Sequence, residues 1–148
     1  MKICIPVSHG GHLTQALILA EKLKKHDIVF VTTRYGEPRV SKSKGKFKSV
    51  INPHTNPFLL SILAFQALWI LLTTNPDVII STGSNIPVPF FIFGKLLGKK
   101  LIYMESWSRV KRPSKSGKLV YPLSDLFFVQ WEDLKKEYPK AIYAGRLI

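Results

Sequence analysis

The sequence predicts a doubly wound α/β domain with a mostly parallel, Rossmann-like sheet. Three observations carry that prediction. The chain opens strand, glycine loop, helix: the apolar run Ile3-Cys4-Ile5-Pro6-Val7 stops at Ser8-His9-Gly10-Gly11-His12, and an amphipathic run follows. In that run Leu13, Ala16, Leu17 and Ala20 fall at i, i+3, i+4 and i+7, the spacing of one helix face. Strand-like and helix-like segments then alternate through short loops, as layered α/β domains require. The run Val78-Ile79-Ile80-Ser81 is continuously apolar, the pattern of a parallel strand buried on both faces. At 148 residues the chain is expected to form one domain over 1–148.

Taken in order, the first strand and its helix are followed by a second strand from Asp27 to Thr32, β-branched and aromatic. Arg34 to Lys48 is rich in glycine and lysine, with Arg39, Lys42, Lys44, Lys46 and Lys48, and reads as a mobile basic loop. A third strand is expected over Phe47–Ile51. Pro57 to Leu72 is apolar nearly all round. Sixteen residues of helix span about 24 Å, short of the roughly 30 Å hydrocarbon core, so a membrane span is not expected. It reads as a crossover helix buried against the sheet, or as one whose outer face dips into a membrane interface. After the strand at Val78, Thr82-Gly83-Ser84-Asn85 is a second glycine loop, with Asn85 placed to cap a helix that Pro87 starts and Gly98 stops. The strand Leu101–Met104 ends on Glu105-Ser106. A short helix over Leu119–Ser124, a strand over Asp125–Val129, a short helix over Glu132–Glu137 and a last strand at Ile142–Ala144 complete the reading.

In parallel sheets of this kind ligands bind at the carboxyl ends of the strands. Ser8–His12, Thr82–Asn85 and Glu105–Arg112 are therefore expected to meet on one edge. Glycines let the backbone turn tightly there, and the open N–H groups of a helix start suit an anion such as a diphosphate. Neither G-x-G-x-x-G nor G-K-[ST] is present, so neither nucleotide fingerprint is met. The formal charge of +13 admits three partner classes: nucleic acid, an anionic membrane surface or a phosphorylated ligand. No basic helix with interleaved aromatics supports nucleic acid. The lone Cys4 sits inside the first strand, which argues for a reduced thiol and against a disulfide framework. The N-terminus runs straight into that strand, so no signal peptide is expected.

His12, at the helix start, is a candidate base for a sugar hydroxyl or a phosphate donor; a helix cap is the plainer alternative. Glu105 is a candidate base or ligand to sugar hydroxyls, with a salt bridge to Arg109 or Lys111 as its alternative. Arg109, Lys111, Arg112 and Lys118 form a cationic wall beside it. No metal cluster or zinc spacing stands out, and no cofactor is expected.

A set of motifs carries a resemblance. These are Gly10-Gly11-His12, Gly98-Lys99-Lys100, Glu105-Ser106, Arg109-Val110, Ser116-Gly117-Lys118-Leu119, Tyr121-Pro122-Leu123-Ser124-Asp125-Leu126-Phe127, Val129-Gln130-Trp131 and Tyr143-Ala144-Gly145-Arg146-Leu147. They resemble the acceptor-binding, membrane-associated subunit of the bipartite UDP-N-acetylglucosamine transferase of dolichol-linked oligosaccharide assembly, a family with bacterial exopolysaccharide members. The resemblance implies the N-terminal half of a GT-B glycosyltransferase, inverting and metal-independent. A separate donor-binding subunit would supply the UDP-sugar. The acceptor would be a sugar on a polyprenyl or dolichyl diphosphate. It implies catalytic roles for His12 and Glu105, and diphosphate contacts from Ser8, Gly10, Gly11, Gly83, Ser84, Arg109 and Lys118. Peripheral attachment to an anionic membrane, at its cytoplasmic face, would come from Phe58, Leu59 and Trp69. The chain departs from the family pattern at His9, where a small residue is common, and at Ser81-Thr82-Gly83-Ser84, where an Asn-Gly-Pro-Gly-like loop is common. A non-catalytic membrane scaffold and a stand-alone nucleotide-binding protein are the competing readings.

Overall fold

The computed structural model describes residues 1–43 and 45–147. Lys44, part of the expected basic loop, and Ile148 lie outside the described residues. Seven strands form one sheet: β1 (Lys2–Pro6), β2 (Asp27–Thr32), β3 (Lys46–Ser49), β4 (Val78–Ser81), β5 (Lys100–Met104), β6 (Leu126–Val129) and β7 (Ile142–Tyr143). Their order is β3-β2-β1-β4-β5-β6-β7, and every pairing is parallel. The helices are α1 (Gly11–Lys22), α2 (Glu37–Lys42), α3 (Pro57–Thr74), α4 (Pro87–Leu96) and α5 (Lys115–Val120), with short 3₁₀ turns between some of them.

Side chains alternate across a strand, so each strand feeds two cores. Ile3, Ile5, Phe30 and Ile80 face Leu13 and Ala16 of α1 and Val40 of α2. Cys4, Val31, Ile79, Leu101 and Tyr103 face the other way, onto Leu63 and Ala67 of α3, Phe90 and Phe91 of α4 and Val120 of α5. The chain winds outward through β1, β2 and β3, then α3 carries it back to β4 on the far side of β1. The direction reverses between β1 and β4, which is the switch point where such sheets bind ligands. Gly94 lets α4 come close there: a Cβ on it would lie 2.5 Å from Ile79 Cδ1 and 2.9 Å from Leu101 Cδ2.

α3 is two residues longer than expected. The Thr73 and Thr74 hydroxyls donate back to the Trp69 and Ile70 carbonyls at 2.8 and 2.6 Å, and the helix ends where Asn75 turns to φ +43°. Among the described residues it is the one helix long and apolar enough, by length and composition, to cross a membrane. Leu63, Ala67, Ile70 and Leu71 nevertheless spend one side of it on the sheet. Asn56 caps its start, accepting from Phe58 N at 2.9 Å and Leu59 N at 3.3 Å. Leu59, expected on the outer surface with Phe58 and Trp69, is half-buried. The outer stripe is Phe58, Phe65, Trp69 and Leu72, with Ile62 half-buried between them. Steps of three and four along this series keep it on one side of the helix.

Other segments differ from expectation. The supposed basic loop folds into a 3₁₀ turn (Arg34–Gly36) and α2, because Glu37-Pro38 begins a helix and Val40 is buried against α1. β3 starts at Lys46 and ends at Ser49, shifted toward the N-terminus. Asn85 does not cap α4; its Nδ2 donates to the His54 carbonyl at 3.0 Å. The helix expected over Leu119–Ser124 starts earlier, at Lys115, because Ser114 caps it by accepting from Gly117 N at 2.8 Å.

Asp125 staples β5 to the start of β6. It accepts from Leu101 N at 2.8 Å and lies 3.6 Å from Lys95 Nζ. The Leu101 N–H first, and the lysine charges with it, hold its carboxyl below the usual carboxylate range. A lowered folded-state pKa stabilises above the unfolded value and is lost as pH falls through the lowered one. Asp125→Asn should therefore cost about 1–2 kcal/mol at neutral pH. Urea melts should show that difference shrinking once the pH drops below about 4, the ordinary aspartate value.

Candidate active site at the switch point

The first glycine loop is built by a turn that only glycine makes cheaply. Gly10 has φ +92°, and α1 begins at the next residue. No side chain caps α1, so its first N–H groups stay open toward the crevice. The second loop turns through Gly83 at φ +112° and Ser84 at φ +92°. The two loops are bonded together. Ser84 Oγ accepts from Ser8 N at 3.1 Å, and Ser81 Oγ donates to the Pro6 carbonyl at 2.7 Å.

His12 and Thr82 exchange two further bonds. Thr82 Oγ1 donates to the His12 carbonyl at 2.7 Å, and His12 Nδ1 lies 3.0 Å from the Thr82 carbonyl. A carbonyl only accepts, so Nδ1 carries a proton, and the tautomer this bond selects has its lone pair at Nε2. The ring rests on Gly83, where a Cβ would come within 2.8 Å of it. His12 is half-buried, and its Nε2 has no hydrogen-bond partner among the described residues. His9 takes another direction: its Nδ1 meets Thr33 Oγ1 at 2.8 Å and its ring leans on Tyr35.

Glu105 does not face the crevice. It is fully buried. Its carboxylate accepts from Ser106 N at 3.1 Å, Ser114 N at 3.1 Å, Ser114 Oγ at 3.0 Å and Tyr138 Oη at 2.9 Å. Three of these donors converge on Oε2 and one on Oε1, and with the group sealed from solvent it is not placed to take a proton from a ligand in the crevice. The expected salt bridge to Arg109 or Lys111 is absent among the described residues as well, and Glu105 instead organises the segment after β5. Gly117 belongs to the same arrangement, since a Cβ there would run into Glu105 Oε2 and Tyr138 Oη. Burial, and then the Glu105 charge, push the Tyr138 and Tyr103 phenols up, so both remain protonated donors.

The basic segment from Ser106 to Pro113 is anchored rather than loose. Gln15 of α1, buried, accepts from Trp107 N at 3.3 Å and from Gln130 Nε2 at 2.6 Å, while Gln130 also donates to the Glu105 carbonyl at 3.0 Å. Arg109, Lys111, Arg112 and Lys118 extend from this frame into solvent. Arg109 is close enough that its charge is felt at the Tyr103 phenol, which lies beside Gly83. Trp107 and Trp131 bond to each other through Trp131 Nε1 and the Trp107 carbonyl at 2.6 Å, with Arg146 over the Trp131 ring at 4.9 Å. The structure adds Arg39. From α2 its guanidinium donates to the Gly10 carbonyl at 3.2 Å and to Thr14 Oγ1 at 2.9 Å, against the first glycine loop. The helix-start signal Glu37-Pro38 could have placed it. Burial pushes the Cys4 thiol up to about 12, which leaves it inert.

Two substitutions separate the roles. Glu105→Gln places an amide NH2 among donors and should destabilise the protein by about 2–3 kcal/mol in urea unfolding. Gly83→Ala strains a positive φ and displaces the imidazole. Loss of the His12 Nδ1–H signal in 15N NMR is the expected outcome, with about 1–3 kcal/mol of destabilisation.

Residues 39–147 match the family described as "Oligosaccharide biosynthesis protein Alg14 like". The chain is 40% identical over 94 residues to the mouse UDP-N-acetylglucosamine transferase subunit ALG14, covering 57% of this chain and 43% of that one. Against the human protein of the same name it is 44% identical over 80 residues, 50% of this chain and 37% of that one. The chain thus spans about two-fifths of the length of these relatives. Among solved structures, MurG of Acinetobacter baumannii superposes with a TM-score of 0.76 at 16% identity, over 98% of this chain and 44% of that one. UDP-N-acetylglucosamine 2-epimerase of Rickettsia bellii superposes with a TM-score of 0.79 at 15% identity, over 99% and 45%. These likenesses show the fold, the Rossmann-like N-terminal half of a GT-B architecture. With most of its length inside the family match, the chain belongs to the Alg14-like family of oligosaccharide biosynthesis proteins.

Proposed function

We propose that this chain is the acceptor-binding half of a two-subunit inverting glycosyltransferase. The enzyme would move N-acetylglucosamine from its UDP conjugate to a sugar on a polyprenyl or dolichyl diphosphate, with the donor half on a separate subunit. The observation that carries this reading is His12, held by Thr82 with Nε2 open at the switch point. Nε2 takes the proton from the acceptor hydroxyl as that oxygen attacks the sugar's anomeric carbon. The carbon–UDP bond breaks on the opposite face, so configuration inverts and UDP departs on the partner's side. Glu105 has no part in the proton transfer. The open N–H groups near Gly10 and Gly11, the loop at Ser8, Gly83 and Ser84, and the cations Arg39, Arg109 and Lys118 receive the acceptor's diphosphate.

The exposed stripe of α3 supports peripheral attachment at the cytoplasmic face of a membrane. Phe58, Phe65 and Trp69 are each more than two-thirds exposed. A protein that presents them gains by burying them in an interface, while its net positive charge draws it to anionic headgroups.

In the complex with its donor-binding subunit, His12→Ala should lower kcat by about 10²–10⁴-fold. Full turnover in that variant would leave this chain a scaffold. In vesicle co-sedimentation, Phe65→Ser with Trp69→Ser should abolish binding, and high salt should weaken wild-type binding to anionic vesicles.

A further inference from the structure

Beside the first glycine loop a cavity of about 770 Å³ lies over the ends of β1, β2 and β3. His9, Arg34, Asn52, His54 and Gln66 line it. Two of these side chains are half-committed in the same sense. Asn52 Oδ1 accepts from His54 N at 3.1 Å, and Gln66 Oε1 accepts from Ile51 N at 3.0 Å. An amide has one oxygen and one NH2 group, so what each offers beyond the backbone is its NH2 donors. Neither NH2 has a protein partner among the described residues. Arg34 is exposed and supplies donors only. The wall is also fixed in place. His54 sits at φ +46°, and its carbonyl is held by Asn85 Nδ2 from the second glycine loop. Among the described residues no carboxylate lines the cavity. The guanidinium of Arg34 is the one full charge on the lining, and with the two NH2 groups beside it and no opposing carboxylate the site suits an anion.

Position narrows the anion. One wall is His9, next to Gly10 of the loop. Another is Gln66, next to Phe65 of the exposed stripe on α3. An anion here stands between the apolar helix and the loop that receives the reacting sugar. We infer that this cavity holds the lipid-side phosphate of a polyprenyl-type diphosphate, with the sugar-side phosphate on the glycine loop. The inference rests on the acceptor-binding reading and adds to it the residues that would hold the lipid side of the same diphosphate, in a cavity contiguous with the glycine loop through His9.

The test is NMR of the full chain, following the backbone amide, imidazole and side-chain amide signals. The probes are inorganic pyrophosphate and phosphatidylcholine vesicles carrying farnesyl diphosphate. Both should move His9, His54, Asn52 and Gln66 saturably. Asn52→Asp with Gln66→Glu keeps the oxygens that bind His54 N and Ile51 N, and adds charge to the cavity. It should weaken pyrophosphate about tenfold or more without unfolding the chain. Arg34→Gln, at an exposed position, should weaken it in the same direction. Shifts confined to Gly10, Gly11 and His12, with unchanged affinity in both variants, would overturn the cavity assignment and leave the glycine-loop reading standing. No shift at either place with either probe would overturn both. Equal shifts with phosphatidylglycerol vesicles lacking farnesyl diphosphate would replace the diphosphate subsite with a general headgroup site.

Discussion

The adjacency of β1 and β4 is the constraint on which the rest depends. These strands are separated by about half the chain, yet Ile3 and Cys4 pair with Val78 and Ile79. Helix α3 makes that possible by crossing from one edge of the sheet to its centre. Its apolar character follows from the task, since a crossover helix must bury a side on the sheet wherever it passes. Once β1 and β4 are neighbours, their two glycine loops emerge side by side. The Ser81–Pro6 and Thr82–His12 bonds lock them together, and the orientation of His12 is a by-product of that lock.

A second organising group is the Glu105 carboxylate. Burying a charge is costly unless its lone pairs are filled. Here they are filled by Ser106, Ser114 and Tyr138, which come from three separate segments. The cost of burial is thus offset by bonds that draw the chain after β5, the start of α5 and the stretch before β7 to one point. The exposed arginines and lysines between Ser106 and Lys118 are presented by that hub, and their positions owe nothing to one another. Gln15 and Gln130 tie the same hub to α1, so a basic segment of high charge is held without a single internal ion pair among the described residues.

Much of this architecture was legible in the residues. β2 and β4 appear where their β-branched runs stand, and the three loops meet on one edge because parallel topology leaves no other place for them. The helix at 37–42 was hidden because one buried valine among charged residues makes no periodic pattern. The partition of α3 into buried Leu63 and exposed Phe65 was equally hidden, since a helix apolar all round carries no moment to read. Glu105 was misjudged for a different reason. Its position just past the end of β5 was legible, but two of its partners, Ser114 and Tyr138, stand 9 and 33 residues further on, and only folding brings them back to it. Arg39 was lost with the helix that carries it.

Cys4 lies at the centre of β1, fully buried, with a thiol that stays protonated under ordinary conditions. It can meet a reagent only when the middle of the sheet parts from α3 and α4. The chain therefore contains its own reporter of cooperative opening: the rate at which this single thiol becomes modifiable tracks the population of molecules in which the switch point has come undone, with no label to perturb the fold.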